Sequence, residues 1–188
     1  MIISAKKVLE LSKQHKLIQD LSDREKNNPE GAGLDIRVGE IYKIDGAGFL
    51  GVTDRQTPAA STVAKHGEQA SYTIQPGEFV LVKTIESVNL PADMVKLEHG
   101  SYHIMAQVFP RSTLQRCGVW LMATKTDPGY HGQLSFGMAN LGPVEFKLEL
   151  GARIANIVFH TVIGGLVREY SGQWKGGRVA TDKKEKQN

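Results

Sequence analysis

The amphipathic pattern at the start of the chain predicts one short helix. Between residues 4 and 22, apolar side chains recur at roughly helical spacing, and Ser4 stands where a capping residue is expected. The apolar positions are Val8, Leu9, Leu11, Leu17 and Ile18. The polar stretch SDREKNNPEGAG then ends the pattern. We therefore predict an N-terminal helical segment over residues 1–30.

The rest of the chain has the pattern of short β-strands. Seven segments are alternating or β-branched, and Gly, Pro, Asn or Asp residues separate them. They are LDIRVGEIYKI, SYTIQPGEFVLVKTIESVNL, YHIMAQVF, GVWLMAT, GQLSFGMANL, VEFKLEL and IANIVFHTVIGGLV. Such spacing is typical of an all-β barrel or sandwich. The pattern is weakest over residues 46–70, where we expect a long loop or an irregular insertion.

The composition is consistent with one globular domain that contains many tight turns. The chain has 188 residues, of which 40% are hydrophobic and 20 are glycine. This glycine content exceeds the average of about 7% and favours tight turns over long helices. No apolar run approaches the ~18 residues that span a bilayer, and the charged N-terminus is unlike a signal peptide. We therefore expect a cytoplasmic protein with no membrane partner.

The excess positive charge lies at the C-terminus. The net charge is +3, and five cations and two acids follow residue 174, which leaves the preceding body with 18 of each sign. A basic tail can bind nucleic acid, remain solvated, or close over a small anion. We predict a flexible basic tail over residues 171–188. Because the body is neutral, we do not expect a nucleic-acid partner.

Common catalytic signatures are absent from the sequence. It contains no Walker loop, HExxH, CxxC or GxSxG motif, and its six histidines have no metal-ligand spacing. The single cysteine, Cys117, excludes an internal disulfide and a multi-cysteine zinc site. Its apolar surroundings, LQRCGVWL, predict a buried thiol rather than a nucleophile.

The segment FPRSTLQR concentrates cations and hydroxyls after a predicted strand. Arg111 and Arg116 are planar donors suited to phosphate oxygens, and Ser112 and Thr113 add hydroxyls that complete an anion site. The same residues are equally consistent with a helix that Ser112 caps, with the arginines on its surface. Both interpretations stay open on this segment alone.

The segment KTDPGYHGQ places a carboxylate at a rigid turn. Asp127 precedes Pro-Gly at the end of an apolar strand, where its carboxylate could orient and activate a water, and Tyr130 offers a flat ring to a sugar. The alternative is an Asx-type turn, in which the carboxylate only holds backbone N–H groups. Spacing alone favours the turn.

Five segments, in order along the chain, resemble the motifs of the dCTP deaminase and dUTP diphosphatase (dUTPase) superfamily. They are GAGLDIRVGEIY (31–42), QPGEFVLVKTIESVNLPADMV (75–95), FPRSTLQRCGV (109–119), TDPGYHGQLSFGMANLG (126–142) and GARIANIVF (151–159). The resemblance covers about residues 30–178. It implies a dUTPase-like β domain over residues 31–170, a distorted β-barrel or jelly-roll subunit. It also implies a homotrimer with nucleotide sites between subunits.

Two reactions occur in that superfamily, and they need different carboxylates. Deamination in the family uses no zinc and depends on a glutamate in a segment similar to ITLELSN. The matching segment here is LSFGMAN, in which Gly137 takes the glutamate position. Glycine accepts no proton, and a general base typically contributes ~10²–10⁴ in rate. By this resemblance, the sequence lacks the glutamate that deamination requires.

The residues of the hydrolytic branch are present. In the dUTPase motif similar to DSDYRG, the Asp binds the sugar 3′-OH and orients the attacking water, and the Tyr packs on the deoxyribose; Asp127 and Tyr130 match them. By the same resemblance, Asp35 supports that water or a neighbouring residue, and the Gly132–Leu134 backbone reads the base. Substrate contacts are implied for Arg111, Ser112, Thr113, Arg116, Lys125, Gln133, Asn156, Trp174 and Lys175.

The implied cofactor is Mg²⁺, held mainly by triphosphate oxygens and waters, with no protein metal site. Two departures affect the carry-over. Asn156 stands where the fourth dUTPase motif has Gln, and the tail GQWKGG differs from both the deaminase tail and the Gly-rich dUTPase motif. Lys175 and Arg178 could instead form a cationic lid, with Trp174 over the base.

We predict hydrolysis of dUTP to dUMP and pyrophosphate. The first alternative is a dCTP deaminase, with one activity or two, that uses a displaced acid. The second is a catalytically inactive member that binds a nucleotide or a protein as a regulatory module. Gly137 argues against the first, and Asp127, Tyr130 and Arg111 argue against the second.

Overall fold

Strands dominate the structure, a computed structural model that describes residues 1–187. About 48% of the residues lie in strands and 11% in helices, which confirms the all-β prediction. The three helices in this range are α1 (Ala5–His15), α2 (Asp23–Asn27) and α3 (Ser112–Arg116). The strands are β1 (Ile2–Ile3), β2 (Ile18–Gln19), β3 (Leu34–Asp45), β4 (Phe49–Leu50), β5 (Asp54–Gln56), β6 (Ala59–Lys65), β7 (Ser71–Ile74), β8 (Phe79–Asn89), β9 (Val95–Leu97), β10 (Gly100–Pro110), β11 (Val119–Met122), β12 (Lys125–Thr126), β13 (His131–Asn140), β14 (Phe146–Glu149), β15 (Arg153–Val162) and β16 (Glu185–Lys186).

The short N-terminal helix forms where the sequence predicts it. The Ser4 hydroxyl accepts a hydrogen bond from the Lys7 amide at 3.3 Å and caps α1. The helix ends at His15, and its C-cap residue, Lys16, adopts the left-handed conformation. Val8 and Leu11 of the predicted apolar stripe are buried on its inner face, whereas Leu17 and Ile18 lie beyond the helix, with Ile18 in β2.

One antiparallel sheet forms the body, in the strand order β11-β13-β8-β3-β15-β10-β12. β3 belongs to both halves of this sheet: its start pairs with β15, and from Val38 onward it pairs with β8. The register shifts between Val38 and Glu40, where a Cβ on Gly39 would lie 3.1 Å from Ile85 atoms. Because β3 bends at this close approach, the sheet curls into a half-barrel around its apolar side chains.

The two ends of the curled sheet come close together in space. β11 forms one end and β12 forms the other, although Ala123 and Thr124 alone separate them in sequence. The chain then turns at Asp127 and enters β13, next to β11. The Asp-Pro-Gly-Tyr turn therefore lies where the ends of the sheet meet.

Two predictions are wrong. Residues 46–70 form β4, β5 and β6 instead of a loop; β6 pairs with β3, and β5 pairs with β16, far along the chain. These strands are short and largely exposed, so they lack the apolar alternation that marks the others. Cys117 is exposed, because it lies between α3 and the first buried residue of β11, Val119.

Both terminal segments contribute strands to the sheets. β1 pairs with β15, and β2 pairs with β8. Near the C-terminus, the Thr57 amide donates to the Thr181 hydroxyl at 2.9 Å, and the Thr181 amide donates back to the Thr57 hydroxyl at 2.8 Å. The flexibility of residues 171–188 stays a prediction. No helix in the described range is long and apolar enough to cross a membrane.

Candidate active site

A pocket of about 540 Å³ lies where the two ends of the sheet meet. Its walls come from the segment before the turn, from β13 and β8, and from the C-terminal segment. The lining residues include Thr124, Lys125, Thr126, Asp127, Tyr130, Phe79, Leu81, Leu134, Ser135, Phe136, Gly137, Tyr170, Trp174 and Arg178. Among the described residues that line it, Asp127 is the only acid.

The Asp127 carboxylate is open to the pocket. The Tyr130 amide donates to the Asp127 backbone oxygen at 3.2 Å and closes the turn. The carboxylate itself accepts a hydrogen bond from the Lys125 ammonium, and the side chain is 41% exposed. No backbone N–H within residues 1–187 donates to this carboxylate, so the Asx-turn interpretation does not hold. An ion pair at the surface of a pocket leaves the carboxylate able to accept a further donor.

Tyr130 forms a buried side of the pocket. Its hydroxyl donates to the Gln133 backbone oxygen at 2.6 Å, and its ring meets the edge of Tyr170 with centroids 5.6 Å apart. Burial, together with the nearby Tyr170, raises the pKa of Tyr130 to about 12. The phenol therefore stays neutral and keeps its hydrogen bond across the physiological range.

Gly137 lies in the wall of this pocket and contributes no acid. A Cβ on Gly137 would be 2.9 Å from the Met122 sulfur and 2.9 Å from the Phe79 ring. Those side chains fill the space that a larger residue would need. The nearby acids do not substitute, because Glu145 is exposed outside the pocket and Glu149 lines a different one.

The C-terminal segment covers part of the turn and of β13. The Gly176 amide donates to the His131 backbone oxygen at 2.7 Å. A Cβ on Gly132 would lie 2.5 Å from the Gly177 nitrogen, so the two backbones are in direct contact. The contact involves the Gly132–Leu134 backbone, to which the resemblance assigns recognition of the uracil base. Trp174 lines the pocket, whereas Lys175 is half-buried outside it.

A second group of predicted residues surrounds Asp35. One carboxylate oxygen accepts from the Asn156 amide at 3.0 Å, and the other accepts from Arg111 and, at 2.8 Å, from Arg153. Of the two roles expected for Asp35, the contacts match support of neighbouring residues. Both of its oxygens are engaged.

The FPRSTLQR segment forms a helix, but Ser112 does not cap it. Arg111 holds the cap position, with no side-chain capping bond, and Ser112 is the first residue of α3. Thr113 and Arg111 line a separate pocket of about 430 Å³. Arg116 is exposed and donates to the Ser112 backbone oxygen at 3.3 Å. Part of each interpretation therefore holds: a helix forms with Arg116 on its surface, and Arg111 lies beside a pocket that neither Ser112 nor Arg116 lines.

The two groups lie apart within one chain. Lys125 pairs with Gln107 of β10, and Arg111 follows Gln107 by four residues. At ~3.3 Å per residue, Lys125 and Arg111 are therefore about 13 Å apart in the direction of β10. Asp127 and Arg111 thus line different pockets. Gln133 lines neither of these two pockets. Its side-chain amide donates to the Thr84 backbone oxygen at 2.9 Å.

Sequence reasoning missed four charged residues near these groups. Glu25 and Arg24 lie in the polar stretch interpreted as a break, and Arg55 lies in the section with the weakest pattern. Arg153 stands in GARIANIVF, three residues before Asn156. Because this segment is one of the five matching motifs, Arg153 is the residue of the four that sequence reasoning could most easily have found. Within residues 1–187, no three His, Cys, Asp or Glu side chains are grouped so that they could hold a metal ion.

The curled antiparallel sheet has the fold of a solved dCTP deaminase. The chain belongs to the dCTP deaminase-like family, whose family model matches residues 2–162. A relative from Dictyoglomus turgidum, named dCTP deaminase, dUMP-forming, is 30% identical over 165 residues, which are 85% of this chain and 80% of that protein.

A second relative carries the other activity in its name. A protein from Aeropyrum pernix, named a probable deoxyuridine 5'-triphosphate nucleotidohydrolase, is 34% identical over 145 residues, 77% of this chain and 83% of that protein. Among solved structures, the 2'-deoxycytidine 5'-triphosphate deaminase of Agrobacterium tumefaciens superposes with a TM-score of 0.60 at 17% identity. That match covers 84% of this chain, which spans about half (48%) of the solved chain.

Proposed function

We propose that the protein hydrolyses dUTP to dUMP and pyrophosphate. The observation that carries this proposal is the combination of two residues in one pocket. Asp127 presents a partly exposed carboxylate, and Gly137 has no side chain that could act as a general base. Deamination needs a proton acceptor beside the base, whereas hydrolysis needs a carboxylate beside the α-phosphate. The pocket lining supplies a carboxylate at Asp127 and no proton acceptor at residue 137, which supports hydrolysis over deamination.

The proposed chemistry uses Asp127 to hold the attacking water. The water oxygen forms a bond to the α-phosphorus, and the bond from that phosphorus to the α,β-bridging oxygen breaks. Pyrophosphate leaves with the bridging oxygen, and the water proton passes to Asp127. Lys125 stays beside the carboxylate, and the buried Tyr130 ring supports the sugar. A fixed carboxylate reduces the entropy cost of placing the water.

We also propose a homotrimer in which each site forms between subunits. The separation of Asp127 from Arg111 supports this arrangement, since one chain does not bring the carboxylate and the phosphate-binding cations together. Phe109 and Trp120 add support: they are exposed apolar side chains, on β10 and β11, that a partner would cover. Arg111, Ser112, Thr113 and Arg116 of one subunit would then meet Asp127 of another.

Mg²⁺ is part of the proposal. The pocket has one acid, already paired with Lys125, and this fits an ion held by phosphate oxygens and waters rather than by a protein cage. When bound, the ion would neutralise negative charge on the triphosphate.

The test is a substrate panel of dUTP, dCTP, dTTP and dATP with Mg²⁺, in which pyrophosphate, ammonia and orthophosphate are measured separately. We expect pyrophosphate and dUMP from dUTP, and no ammonia from dCTP. Stoichiometric ammonia from dCTP would restore the deaminase alternative. Nucleotide binding without any product would favour the regulatory alternative.

A further inference from the structure

A small sheet outside the five motif-matching segments meets the C-terminal segment. In this sheet, β5 pairs with β4 on one side and with β16 on the other, and Arg55 of β5 stands opposite Glu185. None of the three strands lies in a segment that matches a family motif. The function proposed above uses no residue of this sheet, so the contacts that Arg55 makes need a separate explanation.

The Arg55 side chain contacts two consecutive residues of the C-terminal segment. Its Nη2 donates to the side-chain oxygen of Gln173. Its guanidinium carbon lies 5.8 Å from the centroid of the Trp174 ring, within the range of a cation–π interaction. A planar guanidinium suits both contacts, because it can stack on a ring while its edge donates hydrogen bonds.

Trp174 lines two cavities, whereas Arg55 lines only one of them. Trp174 and Asp127 both line the pocket of about 540 Å³ and a neighbouring cavity of about 450 Å³. Arg55 lines the second cavity and not the first. A ligand in the larger pocket therefore meets Trp174 directly, and Arg55 acts on that ligand through the ring that it contacts.

Arg55 is attached to the body of the fold on the side away from the C-terminal segment. Two residues after it, Thr57 exchanges hydrogen bonds with Thr181 at 2.9 and 2.8 Å. β6 begins at Ala59 and pairs with β3 of the main sheet. Because the backbone beside Arg55 is fixed in this way, its side chain can serve as a rigid support for a residue that lines the pocket.

Backbone hydrogen bonds hold the chain around Trp174 without fixing the ring. The Gly176 amide donates to the His131 backbone oxygen at 2.7 Å, and the Lys175 amide donates to the Gly172 backbone oxygen at 3.2 Å. These bonds leave the orientation of the indole to side-chain contacts. Within residues 1–187, Arg55 is the only cation that lies over this ring.

The contact between Arg55 and Gln173 is not explained by stability alone. Arg55 Nε and Gln173 Nε2 are both buried, and neither has an acceptor among the described residues. A buried donor without an acceptor lowers the stability that such a contact contributes. This cost favours a role in the pocket over a role in folding.

We propose that Arg55 is a positioning residue that holds the Trp174 ring in the wall of the pocket before a nucleotide arrives. A ring that is already in place reduces the ordering cost of binding. The proposal rests on the proposed function for the identity of the nucleotide, whereas the placement of Trp174 by Arg55 is independent of any substrate.

The first measurement uses no nucleotide. The chain has two tryptophans, so Trp120→Phe leaves Trp174 as the only one. In that background, Arg55→Met removes the cation and the planar donors but keeps a long side chain. It should shift the acrylamide quenching constant of Trp174 toward the value of the urea-unfolded chain. Arg55→Lys should give a smaller shift, because it keeps a cation near the ring and loses the planar fork.

The second measurement is the affinity for the non-hydrolysable α,β-imido analogue of dUTP, by calorimetry with Mg²⁺ and with both tryptophans present. Arg55→Met should weaken binding by about 5- to 50-fold, the combined effect of losing one hydrogen bond and one cation–π contact. In parallel assays with dUTP, KM should rise more than kcat falls, because a bound nucleotide itself restrains Trp174.

Lys184→Gln is the matched control. The Lys184 ammonium lies 4.9 Å from the centroid of the Phe49 ring and 3.7 Å from the Asp54 carboxylate. Its removal therefore takes a cation–π contact from the same small sheet without a change at Trp174. Both measurements should give wild-type values.

Four results would overturn the proposal. They are wild-type quenching of Trp174 in Arg55→Met, increased quenching with unchanged affinity for the analogue, equal effects of Arg55→Met and Lys184→Gln, and failure of the wild type to bind the analogue. If Arg55→Met does not fold, Arg55→Lys decides, and wild-type values in both measurements overturn the proposal.

Turnover of dUTP tests the proposed function separately. If the wild type binds the analogue without hydrolysing dUTP, and Arg55→Met exposes Trp174 and weakens that binding, the proposed function falls and this inference stands. If the wild type hydrolyses dUTP and Arg55→Met behaves as the wild type, the inference falls alone.

Discussion

The sulfur of Met122 lies 2.9 Å from the point that a β-carbon on Gly137 would occupy. Phe79 approaches the same point equally closely. Real β-carbons do not tolerate such contacts, so any side chain at this position must displace a thioether or a ring. The absence of a glutamate at residue 137 is therefore accompanied by a wall packed around glycine.

The first prediction concerns this wall. Gly137→Glu should release no ammonia from dCTP and should lower dUTP turnover, because the carboxylate must displace Met122 and Phe79 and would repel the O4 of uracil. Ammonia and pyrophosphate are measured in parallel. Gly137→Ala separates volume from charge: it should lose less dUTP turnover than the glutamate variant. Efficient ammonia release by either variant or by the wild type would contradict the prediction.

The second prediction concerns the carboxylate at the turn. Asp127→Asn should lower dUTP turnover by at least ~10², because the amide preserves the volume but loses the negative acceptor for water. Thermal stability should change little, since the lost ion pair with Lys125 is exposed and such pairs contribute little. Turnover and the affinity for a non-hydrolysable dUTP analogue are measured together. Asp93→Asn, at an exposed acid outside the pocket, should behave as the wild type.

Local patterns predicted the parts of this fold that depend on local contacts. The cap at Ser4 involves a residue three positions away, and alternation along β13 buries Leu134, Phe136 and Met138 in the core. The parts that were missed depend on distant partners. β5 finds β16 at the far end of the chain, and Arg153 reaches Asp35 across 118 positions. Periodicity contains no information about such pairs.

The same difference between local contacts and distant partners applies to the candidate site. Lys125, Asp127 and Tyr130 lie within six consecutive residues, and their common pocket could be predicted from the motif. The motif gave no sign that Arg111 would lie four residues beyond Gln107, the strand partner of Lys125, which is about 13 Å at ~3.3 Å per residue. Sheet register sets that distance, and the register depends on strand partners that a linear motif does not specify.

The third prediction uses the pKa of Tyr130, which burial raises to about 12. An unfolded tyrosine titrates near 10, so the folded state holds this proton to higher pH. The resulting stabilisation is complete below about pH 10 and is lost as the pH rises through about 12, a change of about 3 kcal/mol. Tyr130→Phe removes the phenol and should remove this part of the slope.

The measurement is the free energy of unfolding in urea, for the wild type and Tyr130→Phe, between about pH 9 and pH 12. The stability difference between the two proteins should shift in favour of the variant as the pH rises. Parallel curves would show that Tyr130 titrates alike in the folded and unfolded states.

The last prediction concerns the C-terminal segment. Truncation after Tyr170 should leave a folded protein with poor dUTP turnover. The main sheet and its core end at β15, so folding should survive the loss of residues 171–188. Turnover should fall because Trp174 and Arg178 line the pocket, and a covering segment excludes water from the reaction.

A second truncation, after Asp182, separates the two parts of this segment. It removes β16 but keeps Trp174, the Gly176 contact with His131, and the paired hydrogen bonds between Thr181 and Thr57. Its turnover should therefore stay near the wild-type value, since no residue that lines the pocket is lost. Circular dichroism and thermal unfolding check the fold of both proteins. Full turnover in the shorter protein would show that the segment is not a lid, and failure of that protein to fold would show that its contacts with β5 and His131 are structural.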